Sequence, residues 1–379
     1  MTDLEPILAL WRELEAAGKE YVLATVVAVE GSSYRKPGAH MLLAEDGRRA
    51  GTVSGGCLEA EVARRAWWLT EAGATVERYS TTDDDGEHPF GSGCGGVVHL
   101  LLERKVTAAP LLAVLENAFL AREPVAIATL LEGECVAARG FSGNARHDAN
   151  HRDADEDSFG LNALADRALT FQTSTETQTH KGDTDIRVRA EFYAARPGLW
   201  IFSAGDDARP LVRMARELGW FVVVADGRAH LATRERFPEA SEVRVLKIAE
   251  LPEAAPAQIH MKPTDAAVMM THSFEQDSRV LASLFSLAAP PAYMGVLGPQ
   301  RRTRQLLAKA ATLLRQAASE SRVDEWLAQL HAPTGLDLGA EAPAAVALSI
   351  LAEIQKVLGA ASGEPLRYVR ALPKALAPR

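Results

Sequence analysis

Cysteine is scarce in this chain: Cys57, Cys94 and Cys135 are the only three in 379 residues. An odd, sparse set excludes a disulfide framework and suits a reducing compartment, and the absence of any Cys-x-x-Cys pair leaves no zinc signature. An excess of basic charge is also missing. Lys and Arg number 41 against 50 Asp and Glu, a formal net charge of −9, which argues against a general nucleic-acid binder. No apolar run approaches the ~20 residues of a membrane span, so no membrane partner is expected. The N-terminal Met1-Thr2-Asp3-Leu4-Glu5 is acidic and lacks the basic and apolar regions of a signal peptide. Together these absences predict a cytoplasmic protein. What is present is ample globular material, 47% hydrophobic and 24% charged. The length suggests two or three domains, which need no metal or disulfide staple.

The pattern divides the chain in two, at about Arg196-Pro197-Gly198, into domains 1–195 and 196–379. The first half is mixed α+β. Helical spacing runs from Leu4 to Glu15, Leu58 to Leu69 and near Leu111–Leu120. Strands are expected at Tyr21–Val29, Thr75–Tyr79, Val97–Glu103 and Val125–Leu131. A hairpin from His40 to Val53 turns at Glu45-Asp46-Gly47, Asp-Gly being a strong turn signal. Residues from about 141 to 185 are polar and read as a solvated or mobile insertion, with a short helix at about 159–169. Its His147, Asp148, His151, Asp153, Asp155 and Asp157 could alternatively bind a metal. The second half alternates apolar strands (199–202, 221–225, 266–270, 293–297) with helical segments (207–218, 274–287, 302–319, 343–358). That alternation predicts a Rossmann-like α/β domain with a parallel sheet.

Four glycine turns carry candidate chemistry. Ser203-Ala204-Gly205-Asp206-Asp207-Ala208 lies between a strand and a helix, the context of a dinucleotide fingerprint. There Gly205 would let a phosphate approach the backbone, and Asp226, about 20 residues on, would hold ribose hydroxyls. Ser203 in place of the first glycine, and the carboxylates of Asp206 and Asp207, which would repel a phosphate, leave open a scaffold without nucleotide. Gly31-Ser32-Ser33-Tyr34-Arg35-Lys36-Pro37-Gly38 combines hydroxyl donors with two cations and reads either as an anion site, through Ser33, Arg35 and Lys36, or as a solvated basic turn. Ser54-Gly55-Gly56-Cys57 precedes a helix, so Gly55 and Gly56 can aim N–H groups at an anion and Cys57 sits where the dipole lowers a thiol pKa. Gly93-Cys94-Gly95-Gly96 places a second thiol in an open turn. These small residues alternatively just fit tight turns. Cys57 is the best candidate metal ligand. Cys135 lies in an apolar stretch and reads as packing.

These residues resemble the XdhC/CoxI family, the maturation factors of xanthine dehydrogenase and related molybdenum hydroxylases. The resemblance rests on segments 31–39, 54–62 and 93–96, on the 203–208 turn, where the family commonly has Gly-Ala-Gly-His, on Thr271-His272 and on 293–298, 335–341 and 347–354. It implies a helper that binds the molybdenum cofactor, as molybdopterin or its dinucleotide, shields it during sulfuration and passes it to an apo molybdenum hydroxylase. The cofactor-binding set is then Ser33, Arg35, Lys36, Gly55, Gly56, Cys57, Cys94, Gly95, Gly205, Asp206, Asp226 and His272, with no catalytic residue. A cysteine desulfurase and cofactor-biosynthesis proteins are the further partners implied, and a homodimer is the default assembly. The competing readings are an NAD(P)-dependent oxidoreductase built on Gly205 and Asp226, with His272 as its only acid candidate, and a catalytically silent interaction module. A lone histidine at a strand end is more often structural or solvent-facing.

Overall fold

The computed structural model describes residues 3–56, 58–80, 96–148, 159–181 and 184–369. The chain forms two compact units, Met1–Arg196 and Pro197–Arg379. The first is mixed α/β with antiparallel sheets, the second a parallel-sheet Rossmann domain.

In the first unit, helix α1 (Glu5–Ala16) leads into strands β1 (Tyr21–Glu30), β2 (His40–Ala44) and β3 (Arg49–Gly51), then helix α2 (Glu59–Leu69), strands β4 (Thr75–Ser80) and β5 (Val97–Arg104) and helix α3 (Lys105–Ala121). The sheet order is β3-β2-β1-β5-β4, antiparallel throughout. Side chains along a strand alternate between faces, and β1 is buried on both. Tyr21 and Leu23 pack with Leu8 and Trp11 of α1 and Leu112 of α3. Val22, Ala24 and Val26 pack with Val62 and Ala66 of α2. The β2–β3 hairpin turns at Asp46-Gly47 as the sequence predicts: Gly47 has φ 84° and Asp46 accepts from the Arg48 N–H at 3.1 Å.

A second antiparallel sheet follows, with order β7-β6-β9-β8: β6 (Val125–Leu130), β7 (Arg139–Phe141), β8 (Thr175–Lys181) and β9 (Thr184–Tyr193). Helices α4 (Ala145–Asp148) and α5 (Leu161–Phe171) lie between β7 and β8. Here the expected polar insertion is corrected. Much of 141–185 belongs to the domain: Leu161, Ala165 and Ala168 of α5 bury against Ala126, Ala128, Val188 and Ala190 of the sheet. The strand Thr175–Lys181 escapes a reading based on apolar runs because it is an edge strand rich in threonine, which has the β-branched shape of a strand former without the hydropathy. Residues 149–158, which hold most of the expected His/Asp cluster, lie outside the described residues. Cys135 is also corrected. It is exposed in the turn joining β6 to β7, where Gly133 (φ 88°) and Ala137 (φ 70°) bend the chain.

The second unit runs β10 (Gly198–Phe202), α6 (Ala208–Glu217), β11 (Phe221–Asp226), β12 (Glu242–Val245), α7 (Ala255–Gln258), β13 (Ala266–Met269), α8 (Phe274–Ser286), β14 (Tyr293–Val296), α9 (Gln300–Leu313), α10 (Glu320–Leu327), α11 (Pro343–Leu358) and α12 (Leu366–Val369). Its sheet is parallel with order β12-β11-β10-β13-β14. Leu199 and Ile201 face α6 and α11, whereas Trp200 and Phe202 face α8, α9 and α10. The crossing from β11 on one side of β10 to β13 on the other makes the switch point at which such sheets take ligands. Two expectations change. The helix expected over 302–319 breaks after Leu313, where Arg315 takes φ 55° and Ser319 caps a new helix. The short β12 is an additional edge strand.

Candidate functional site

The Ser54-Gly55-Gly56 turn converges on a carboxylate of its own chain. Glu59, in the first turn of α2, is almost fully buried. Its Oε1 accepts from the N–H groups of Val53 (3.1 Å), Ser54 (2.9 Å) and Gly55 (3.2 Å) and from the Thr52 hydroxyl. Its Oε2 accepts from the Gly56 N–H at 2.8 Å and the Ser54 hydroxyl at 2.6 Å. Burial pushes this carboxyl up, but the hydroxyl and backbone donors outweigh it and hold the pKa down to about 2. The Ser54 hydroxyl also accepts from the Leu58 N–H at 2.9 Å, so the chain is pinned on both sides of position 57. The anion-binding geometry expected of Gly55 and Gly56 is present, and Glu59 fills it. The sequence offered one signal, an acidic residue in the first helical turn after two glycines.

Gly55 and Gly96 are seated against the 31–39 loop. Gly55 has φ 87°, and a Cβ there would lie 2.7 Å from Cδ1 of Tyr34. A Cβ on Gly96 would lie 2.0 Å from the Ser32 carbonyl oxygen. The loop, the 54–56 turn and the last residue of the 93–96 segment therefore meet. Tyr34, whose ring lies against Gly55, is 73% exposed. Of the expected site residues here, Ser33 is half-buried and Lys36 is exposed. Arg35 forms an ion pair with Asp3, whose carboxyl burial raises but Arg35 holds below its ordinary value. Cys57, Cys94 and Gly95 lie outside the described residues.

The far end of the same loop rests on a buried polar network that sequence reasoning missed. A Cβ on Gly38 would come within 3.0 Å of Oε1 of Glu191. Glu191 accepts from the Tyr193 hydroxyl (3.0 Å) and from Arg189 Nε (3.0 Å). His40 bridges the Tyr193 hydroxyl (3.1 Å) and the Thr25 hydroxyl (2.9 Å). Burial pushes the His40 pKa down to about 4 and the Glu191 carboxyl up. These groups and Arg139, which pairs with buried Glu103, line a small cavity of about 10 Å³, on the scale of a single water. Nothing in the spacing of residues 25, 40, 139, 191 and 193 announces it, because strands far apart in the chain supply them.

In the second unit, the 203–208 turn is closed by its own side chains. Asp226 is buried at the end of β11, where its Oδ2 accepts from the Ala204 N–H at 2.7 Å. Arg228 donates to both its oxygens, at 3.0 and 2.7 Å. Burial raises the Asp226 carboxyl, but the Arg228 and Ala204 donors prevail and hold it low. Both oxygens are thus engaged within the unit. The Gly205 N–H donates to Ser203 Oγ at 3.1 Å, and a Cβ on Gly205 would meet Asp207 Oδ1 at 2.4 Å. Asp206 is exposed and pairs with Arg236 at 2.9 Å. His272 is exposed. Beside it, Thr271 and Arg302 donate to buried Asp277 at 2.6 and 2.7 Å, and burial pushes that carboxyl up. Among the described residues no group of three or more His, Cys, Asp or Glu is placed to hold a metal ion. No described helix is long and apolar enough to cross a membrane.

Residues 14–80 match the XdhC and CoxI family, and residues 199–354 match the XdhC Rossmann domain. The chain is 31% identical over 338 residues to a probable xanthine dehydrogenase subunit of Bacillus subtilis, covering 89% of this chain and 92% of that one. It is 28% identical over 365 residues to the molybdenum cofactor insertion chaperone PaoD of Escherichia coli, covering 94% and 89%. Among solved structures, a xanthine dehydrogenase from Bacillus halodurans superposes with a TM-score of 0.67 at 27% identity, covering 96% of this chain and 99% of that one. The chain belongs to the XdhC/CoxI family.

Proposed function

We propose that this member of the XdhC/CoxI family binds the molybdenum cofactor in its N-terminal unit, shields it while its sulfido ligand is installed, and hands it to a xanthine dehydrogenase-like apo-enzyme. The observation that carries this reading is the meeting of the 31–39 loop with both the 54–56 turn and Gly96, an exposed tyrosine of that loop lying against Gly55. A turn fixed by Glu59 presents a constant surface without ordering cost at the moment of binding. Ser33 and Lys36 of the adjoining loop supply a hydroxyl and a cation for the cofactor's phosphate. The cofactor brings a soft, sulfur-rich metal centre, for which Cys57 and Cys94, in the segments adjoining this site, are the matching ligand type. The likeness to an insertion chaperone supports a role in cofactor binding and transfer; within this reading the partners are a client hydroxylase, a cysteine desulfurase and the proteins that make the cofactor.

The Rossmann order of the second unit would suit an NAD(P)-dependent oxidoreductase, but two observations weigh against it. Asp226, the residue for ribose hydroxyls, is held by Arg228 and Ala204, and the Asp207 carboxylate lies where a pyrophosphate would approach Gly205. The test is metal and pterin analysis of the full chain purified from cells making the cofactor. We expect both to co-purify, and a strain lacking this protein to yield client enzyme depleted in molybdenum. Absence of pterin from the purified chain, with a client of normal molybdenum content in that strain, would refute the reading.

A further inference from the structure

Tyr34 is the most exposed aromatic side chain among the described residues of the first unit, yet its ring lies against the 54–56 turn. An exposed ring on a flexible tail would be unremarkable. This ring is seated: its Cγ–Cδ1–Cε1 edge rests over Gly55, so close that any side chain at position 55 would strike it. Gly55 is fixed in turn by hydrogen bonds from its N–H to Thr52 Oγ1 (3.0 Å) and Glu59 Oε1 (3.2 Å). The next residue, Arg35, is held on Asp3. A loop tied down on both sides of the ring, with most of the ring in solvent, is a preformed flat surface. Two residues on, Lys36 is exposed and makes no ion pair among the described residues.

We propose that Tyr34 is a stacking platform for a planar heteroaromatic ring and that Lys36 meets an anionic group on the same ligand. The assignment rests on the cofactor-binding reading above, and within it the ring is the pterin and the anion its phosphate. Stacking on an exposed aromatic is tolerant of ring identity and worth enough to decide affinity. The lysine contributes as a point charge whose effect salt screens.

The test is equilibrium binding of an oxidised pterin phosphate to the full chain, followed by fluorescence anisotropy, with circular dichroism as a check of folding. Tyr34→Ala should weaken binding about tenfold, the scale of one lost stacking contact. Tyr34→Phe and Tyr34→Trp should bind within about twofold of wild type, since they keep the π-face. Lys36→Ala should weaken binding and flatten its salt dependence. Inorganic phosphate alone should compete poorly. Wild-type affinity in Tyr34→Ala would overturn the stacking assignment while leaving cofactor binding intact. A loss in Tyr34→Phe as large as in Tyr34→Ala would overturn it too, by assigning the effect to the hydroxyl. Failure of the wild-type chain to bind the pterin at all would overturn both this proposal and the reading beneath it.

Discussion

Two of the glycine turns, 54–56 and 203–207, invite the same description. Each follows a strand, precedes a helix and gives backbone N–H donors to a carboxylate of the same chain, three from the first turn (Ser54, Gly55 and Gly56) and one from the second (Ala204). They differ in where that carboxylate comes from and what surrounds it. Glu59 belongs to the helix the turn leads into and has no cation among its hydrogen-bond donors, so the turn is a self-contained nest. Asp226 comes from the neighbouring strand and is gripped by Arg228, while Asp206 of the turn pairs with Arg236. The first turn stands beside an exposed aromatic, Tyr34, of a loop that also carries an exposed lysine. The second is a closed set of ion pairs. A strand–glycine–helix pattern thus announces a place where anions can be bound, and the side chains around it determine whether anything is left to bind.

The largest expected effect comes from emptying the first nest. Glu59→Ala orphans several buried donors together and should cost about 3 kcal/mol of stability, with Glu59→Gln intermediate because it keeps one acceptor oxygen. Chemical denaturation measures this, and a loss below about 1 kcal/mol for Glu59→Ala would show that the nest does not depend on its carboxylate. Emptying the second turn should matter less. Asp226→Ala unpairs Ala204 and Arg228, but Arg228 is half-exposed and water can serve it, so about 2 kcal/mol is expected. Pterin binding should survive that change, and its loss would move the site to the second unit.

A smaller effect concerns the network beneath the 31–39 loop. His40 has an ordinary pKa of 6.5 and is held at about 4 by burial. Between those values the unfolded chain takes up a proton that the folded chain refuses, so the stability His40 contributes is complete above about pH 6.5 and is lost as pH falls toward 4. Glu191, raised by burial, works in the opposite direction at the acid end. Thermal melts of wild type and His40→Gln across this range isolate the histidine: the variant should show a shallower decline. Equal slopes would mean that His40 takes up its proton in the folded state. The smallest effect is at Cys135. It is exposed in a turn, so Cys135→Ser should change stability by less than about 0.5 kcal/mol, and a thiol reagent should label Cys135 in the native protein. Protection from the reagent would restore the packing role its sequence suggests.

Much of the architecture was legible because it obeys simple periodicities. Strand β1 alternates Tyr21 and Leu23 with Val22 and Ala24 between two cores, and the parallel strands of the second unit are short unbroken apolar runs flanked by helices. The 175–181 strand was not legible, since its threonines, Glu176 and Gln178 read as solvated loop until β9 pairs with them. The candidate site was legible only as segments. Gly55 and Lys36 are visible in sequence, but the seat of Tyr34 over Gly55 depends on a contact across 21 positions, and the His40–Tyr193–Glu191 network depends on strands far apart in the chain. Asp226 was found for its position after β11, yet its reach back to Ala204 could not be read from spacing.

The most direct test of the central claim sets the two turns against each other in the full chain, by measuring the molybdenum and pterin retained after purification from cofactor-producing cells. Gly55→Ala puts a methyl group against the Tyr34 ring at a φ of 87°, and Gly205→Ala puts one against the Asp207 carboxylate. With both variants folded, cofactor should be lost from Gly55→Ala and kept by Gly205→Ala. Retention by Gly55→Ala with loss from Gly205→Ala would contradict the account and give the cofactor to the Rossmann unit.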